Sequence, residues 1–138
     1  MTRLLFGISG ILLLLATIGC GNNMHVSGKV RFEDGSPLKT GIVVFSSQKY
    51  VAKGPIQPDG SYTIGSLKSN DGLPPGEYKV YIVSAVEPDP NFVPASGVDA
   101  AGTRSAINME FTSSETTPLS CLIEKRTVYD ITVRPGSP

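Results

Sequence analysis

Leu73-Pro74-Pro75-Gly76-Glu77-Tyr78-Lys79-Val80-Tyr81-Ile82-Val83-Ser84-Ala85 decides the fold. The two prolines prescribe an extended approach and Gly76 permits a turn. Beyond them Tyr78, Val80, Ile82 and Ser84 share one face, and Lys79, Tyr81 and Val83 share the other. This period-two pattern predicts a strand from Glu77 to Ala85, and its two largely apolar faces predict a central one.

Upstream, Val26, Gly28, Val30 and Phe32 alternate with Ser27, Lys29 and Arg31, the pattern of a half-buried strand. Glu33-Asp34-Gly35-Ser36-Pro37 supplies turn chemistry, and Gly41-Ile42-Val43-Val44-Phe45 reads as a second strand. Tyr50 to Ile56 and Ser61 to Ile64 read as a third and fourth, joined as a hairpin through Pro58-Asp59-Gly60. Downstream, residues 86–108 are rich in Pro, Asp, Ala, Gly and Ser. They are expected to form a long loop that is either mobile or functional. Leu119, Cys121 and Ile123, then Val128, Ile131 and Val133, close the chain as two strands around Lys125-Arg126. Seven short strands without a helix predict an all-β, seven-stranded Greek-key β-sandwich of immunoglobulin-like shape, with a small closed barrel as the rival.

The first nineteen residues belong to a different regime. Arg3 provides a positive start, Leu4 to Ile18 a greasy run, and Gly19 a small residue before Cys20. Thr17-Ile18-Gly19-Cys20 resembles a bacterial lipoprotein signal, which implies cleavage before Cys20 and attachment of lipid to its sulfur. Thr17 stands where such signals usually carry leucine. A plain secretory leader and an uncleaved membrane anchor are the alternatives. The expected organisation is a signal peptide over 1–19, a lipidated tether over 20–25 and one domain over 26–134. Gly21, rather than aspartate, follows Cys20, which in this class of protein favours the outer membrane over the inner.

The whole chain has 12 basic and 12 acidic residues, and loss of Arg3 with the leader leaves the mature protein nearly neutral. Nucleic-acid binding rests on clustered Lys and Arg, so that class of partner is excluded as an expectation. With Cys20 lipidated, Cys121 has no partner for an internal disulfide.

Val26-Ser27-Gly28-Lys29-Val30, Pro37-Leu38, Gly41 to Phe45, Pro58-Asp59-Gly60-Ser61-Tyr62 and Leu73 to Val80 together resemble the carboxypeptidase regulatory-like, transthyretin-like domain. More narrowly, they resemble small bacterial lipoproteins built around one such domain. Phe111, Thr116-Thr117-Pro118-Leu119, Leu122 to Lys125 and Tyr129 to Val133 occupy comparable places. The resemblance covers residues 25–134 apart from the stretch around 86–108. It implies architecture and not an activity.

Catalysis needs a nucleophile, a base and an orienting group, and the single histidine, His25, stands at the start of the first strand, where it is expected to be exposed. Cys121 alternates with Leu119 and Ile123, which places it on an apolar strand face as a small hydrophobe rather than a nucleophile. Asp34, Asp59 and Asp71 each precede glycine in a turn and lack a local ligand cage, so neither a metal nor a cofactor is expected. Lys29, Glu77 and Asp130 hold parts of an isopeptide crosslink but read as exposed strand charges. Tyr50, Tyr62, Tyr78, Tyr81 and Tyr129 fall mostly on strands, where packing explains them first. Phe92, a large apolar side chain in a polar loop, and Tyr81 are the candidate partner contacts, and Cys20 the lipidation site.

The expected function is that of a noncatalytic, lipid-anchored structural or protein-interaction module at the bacterial cell envelope, bound to a membrane through its lipid and touching an envelope protein or polysaccharide. A carbohydrate-binding accessory domain is the alternative, and a small envelope enzyme stands behind it.

Overall fold

The computed structural model describes residues 23–65, 71–96 and 102–137. Among the described residues ten strands run in chain order: β1 (Val26–Phe32), β2 (Ile42–Ser46), β3 (Val51–Pro55), β4 (Ser61–Thr63), β5 (Gly76–Val83), β6 (Val86–Pro88), β7 (Thr103–Ser105), β8 (Ser120–Ile123), β9 (Thr127–Val128) and β10 (Ile131–Val133). One turn of 3-10 helix, Met109–Thr112, lies between β7 and β8. No helix among the described residues is long and apolar enough to cross a membrane.

Two sheets face each other, and the closed barrel is not formed. In the first, β1 is central, with β4 antiparallel on one edge and β9 and β10 parallel on the other. The second is the antiparallel order β3-β2-β5-β8. β5 returns beside β2 rather than beside β4, which is the Greek-key crossing. Its predicted central place is confirmed, because Lys79 is registered with Ser46 on one side and Ser120 on the other.

Alternation puts Val26, Val30, Tyr62, Ile64, Ile131 and Val133 of the first sheet against Val43, Phe45, Tyr78, Val80, Ile82 and Ile123 of the second, all buried. Burying such side chains contributes roughly 1.5–3 kcal/mol each.

Gly28 makes the first sheet possible. Tyr62 is directly opposite it on β4, and the Tyr62 hydroxyl reaches past it to donate to the carbonyl of Tyr129. A Cβ at position 28 would lie 2.0 Å from that carbonyl oxygen. Tyr129 and Asp130 form a bulge that separates β9 from β10, and there the Lys29 amide donates to Asp130 Oδ1 at 2.9 Å in place of a ladder carbonyl. Phe45 then meets Tyr62, Tyr78 and Tyr129 at ring separations of 6.1–6.4 Å, so the same cluster ties both sheets.

Several expectations need correction. β9 and β10 together take the place of one bulged strand, so seven strands build the sandwich. The other two, β6 and β7, form a separate antiparallel ribbon inside the stretch read as a long loop. That ribbon is held by the Arg104–Glu87 ion pair at 2.8 Å and leads directly into buried Ala106 and Ile107.

The domain is not wholly without helix, since Asn108 caps a 3-10 turn and Phe111 anchors it in the core. The strand Glu77 to Ala85 ends at Val83, because Ser84 takes φ 56° and redirects Ala85 inward. The Asp59-Gly60 turn is tight, with Gly60 N donating to Gln57 O at 2.8 Å. Its two strands nevertheless join different sheets. They cross where Gly54 has no side chain, a Cβ there lying 2.1 Å from Thr63 O; Gln57 N bonds Ser61 O at the turn, and Lys53 and Gly65 bond in both directions beyond the crossing.

Burial pushes the Tyr62 phenol well above its ordinary value of 10.0, with Cys121, Tyr129 and Asp130 adding to the shift. The folded state therefore keeps a proton that the unfolded chain releases, and stability falls as pH rises above that ordinary value. Tyr62→Phe is expected to lower stability by about 1–2 kcal/mol at neutral pH and to flatten the alkaline loss, both read by urea titration at several pH values. Gly28→Ala is expected to cost about 3 kcal/mol or to prevent folding, since backbone blocks the methyl.

A polar trough at the β2–β3 tip

Ser46-Ser47-Gln48-Lys49-Tyr50 connects β2 to β3. The Ser47 hydroxyl accepts from the amides of Lys49 and Tyr50 at 3.3 and 3.1 Å, and Ser47 N donates to Tyr50 O at 2.8 Å. That closure holds Gln48 and Lys49 outward and leaves Tyr50 46% exposed.

Beside this tip, Pro74-Pro75-Gly76 delivers the chain into β5. Tyr78 donates its hydroxyl to Pro74 O at 2.8 Å, and Gly76, at φ 154°, leaves the space beside the Tyr78 ring open. Burial, with Tyr50 nearby, pushes the Tyr78 phenol up, so it stays a neutral donor.

The third wall comes from the segment before β8. Thr117 is buried, and its hydroxyl donates to Val80 O at 2.6 Å while accepting from Leu119 N at 3.1 Å. It fastens residues 113–119 to the edge of β5 and brings Ser114 and Ser120 to face the β2–β3 tip.

The result is a trough of two adjoining depressions, of about 430 and 310 Å³, that share Ser47, Gln48, Glu77 and Tyr78. The larger falls within the size range of small-molecule sites. Ser46, Gln48, Glu77, Lys79, Ser114 and Ser120 line it, and their side chains make no hydrogen bond or ion pair among the described residues.

The residues singled out from sequence are elsewhere. Cys20 lies outside the described residues. Tyr81 is half-buried on the outer face of the second sheet, registered with Val44. Phe92 is 43% exposed in the segment between β6 and β7, with its ring against Gly102, where a Cβ would lie 2.1 Å from it. His25 is half-buried rather than exposed, and Thr127 N donates to its carbonyl at 2.9 Å. Its Nδ1 is buried without a hydrogen-bond partner among the described residues. Met24, read as tether, pairs with Leu73 in both directions, at 2.6 and 2.9 Å.

Cys121 is a free thiol buried on the inner face of β8, and desolvation pushes its pKa up. Asp34 and Asp59 are held below the ordinary carboxylate range, chiefly by the hydroxyls of Ser36 and Ser61 and then by those residues' amides. Their oxygens close local turns at 2.5–3.0 Å. Among the described residues no group of three acidic, histidine or cysteine side chains converges on a metal position. Lys29 and Glu77 are exposed on different sheets, and the Asp130 carboxylate is engaged with a backbone amide.

The trough was missed because its residues come from four separate stretches. Only the register Ser46–Lys79–Ser120 unites them. Its sole local signal is the polar run Ser46 to Lys49 ending in Tyr50.

No family model and no curated protein matches the sequence. Among solved structures, a DUF3823 family protein from Bacteroides ovatus ATCC 8483 is similar at 19% identity with a TM-score of 0.45, over 82% of this chain and 45% of that one. The major pilin subunit of Bacillus cereus is similar at 11% identity with a TM-score of 0.49, over 84% of this chain and 30% of that one. The chain thus spans less than half the length of either. Its architecture rests on its own strand pairing.

The Cys121 environment gives a direct check. Maleimide labelling of Cys121 in the Cys20→Ser chain is expected to be at least ~100-fold slower in buffer than in denaturant, because the thiol must be exposed and deprotonated to react. Fast labelling of the folded chain would contradict its placement.

Proposed function

We propose that the chain is a noncatalytic binding module of the carboxypeptidase regulatory-like, transthyretin-like kind, held by lipid on Cys20 at a bacterial envelope, with the polar trough as its contact face. The observation that carries this reading is that Ser46, Gln48, Glu77, Lys79, Ser114 and Ser120, whose side chains have no partner among the described residues, line one concave surface.

Only three residues lie between Cys20 and Met24, and the four chain steps reach at most about 14 Å. Met24 is paired with Leu73, and the next residues, Pro74 to Gly76, lead along the trough into β5. A lipid at Cys20 would therefore hold the trough close to the bilayer. Two or more acyl chains make such attachment stable.

The chemistry needed for turnover is dispersed in this arrangement. The thiol of Cys121 is in the core, the imidazole of His25 is at the start of β1, and Glu77 is exposed on β5. The outer membrane is the favoured location, on the residue that follows Cys20.

Cys20→Ser is expected to abolish incorporation of labelled fatty acid and to leave the signal unprocessed or the protein released from membranes. Continued acylation of that variant would end the lipid-anchor reading.

A further inference from the structure

We infer that the trough binds an oligosaccharide chain, an assignment that rests on reading the protein as a binding module and names the ligand class of the same site. Its polar lining is mixed in kind. Hydroxyls of Ser46, Ser114 and Ser120, the amide of Gln48, the carboxylate of Glu77 and the ammonium of Lys79 offer donors and acceptors side by side. A ligand whose every hydroxyl both donates and accepts fits such a set. A simple anion or cation would call for one sign of charge, and here one carboxylate and one ammonium stand among neutral groups.

Tyr50 supplies the complementary element. It is 46% exposed at the rim of the second depression, and its backbone is already fixed by Ser47. A pyranose ring has an apolar face of C–H groups that stacks on an aromatic ring, while its hydroxyls point outward to polar neighbours. Because the tyrosine is held on a closed turn, little backbone freedom is lost on binding.

An extended peptide is disfavoured by the same geometry. Strand addition needs an unpaired edge, and Ser46 is registered with both Val51 and Lys79, and Lys79 with both Ser46 and Ser120, which leaves β8, with Ser120, as the one lining strand that is a sheet edge among the described residues. No Val, Leu or Ile lines the larger depression, so a peptide's aliphatic anchor would meet only the Tyr78 ring and the stems of polar side chains. Two adjoining depressions that share one wall suit a chain of linked rings.

The test is calorimetric titration of the full-length lipidated protein in detergent micelles with chitotetraose, cellotetraose and maltotetraose. At least one is expected to bind with Kd at or below about 1 mM. Tyr50→Ala should weaken that binding by about tenfold or more, and Gln48→Ala by about fivefold, while Tyr50→Phe keeps it within about twofold. Val128→Ala, on the other sheet, should leave it unchanged. Absence of binding by all three sugars would overturn the inference, as would binding indifferent to both Tyr50→Ala and Gln48→Ala.

Thermal melting and fatty-acid content measured on the same samples separate the two readings. A folded, acylated protein that ignores all three sugars defeats the saccharide assignment alone. An unacylated protein that binds one with the expected variant pattern supports the saccharide assignment and defeats only the anchor.

Discussion

The Tyr62 hydroxyl, passing Gly28 to reach the Tyr129 carbonyl, is the contact on which the rest of the sandwich depends. It connects the two outer strands of the first sheet across the central one, and it does so only because position 28 has no side chain. With the Tyr129 carbonyl taken by a side chain, the adjacent ladder position is filled by Asp130, whose carboxylate accepts from the Lys29 amide. The bulge that divides β9 from β10 is thus a substitution of side-chain partners for backbone ones, and no polar group of the exchange is left unpaired. Phe45 packs on both tyrosines from the opposite sheet, which turns a local exchange into the joint between layers.

The second sheet solves its edge problem differently, and the trough is a consequence. β8 pairs with β5 only as far as Lys79. Beyond that point the edge of β5 would expose the carbonyl of Val80. Thr117 covers it with a hydroxyl, and Leu119 returns a carbonyl to the Val80 amide at 3.0 Å. An edge strand closed by an irregular segment resists unwanted pairing. The same segment brings Ser114 beside the β2–β3 tip, so a device that protects the sheet also raises one wall of a concave surface.

Much of the fold was legible because strands announce themselves by alternation. Val26 to Phe32, Ile42 to Phe45 and Tyr78 to Val83 form where the period-two pattern placed them. The β6–β7 ribbon was not legible, since Val86–Pro88 and Thr103–Ser105 are too short and polar to show a period, and only the Arg104–Glu87 pair reveals the match. Nor was the divergence of β3 and β4 legible: Asp59-Gly60 specifies a tight turn, while the decision to change sheets is made by Gly54 and by Tyr62 pairing opposite Gly28. The buried Cys121 could be read from its neighbours at two-residue spacing. The trough could not, because a site assembled from hairpin tip, strand start and edge segment exists only once register is known.

The proposed recognition role asks its side chains for hydrogen bonds rather than for proton transfer. A nucleophile or base works when its surroundings ease the change of protonation state. Here the core does the reverse: burial keeps the thiol of Cys121 and the phenols of Tyr62 and Tyr78 in their neutral forms, and the two phenols spend their hydrogens on backbone carbonyls. Asp34 and Asp59 are spent on turns. Ser46, Gln48, Glu77, Lys79, Ser114 and Ser120 are unspent among the described residues, and they share the trough beside Tyr50. Such groups gain most by exchanging water for a ligand that reproduces water's own hydrogen bonds, and the rigid sheet beneath them fixes their spacing before the ligand arrives.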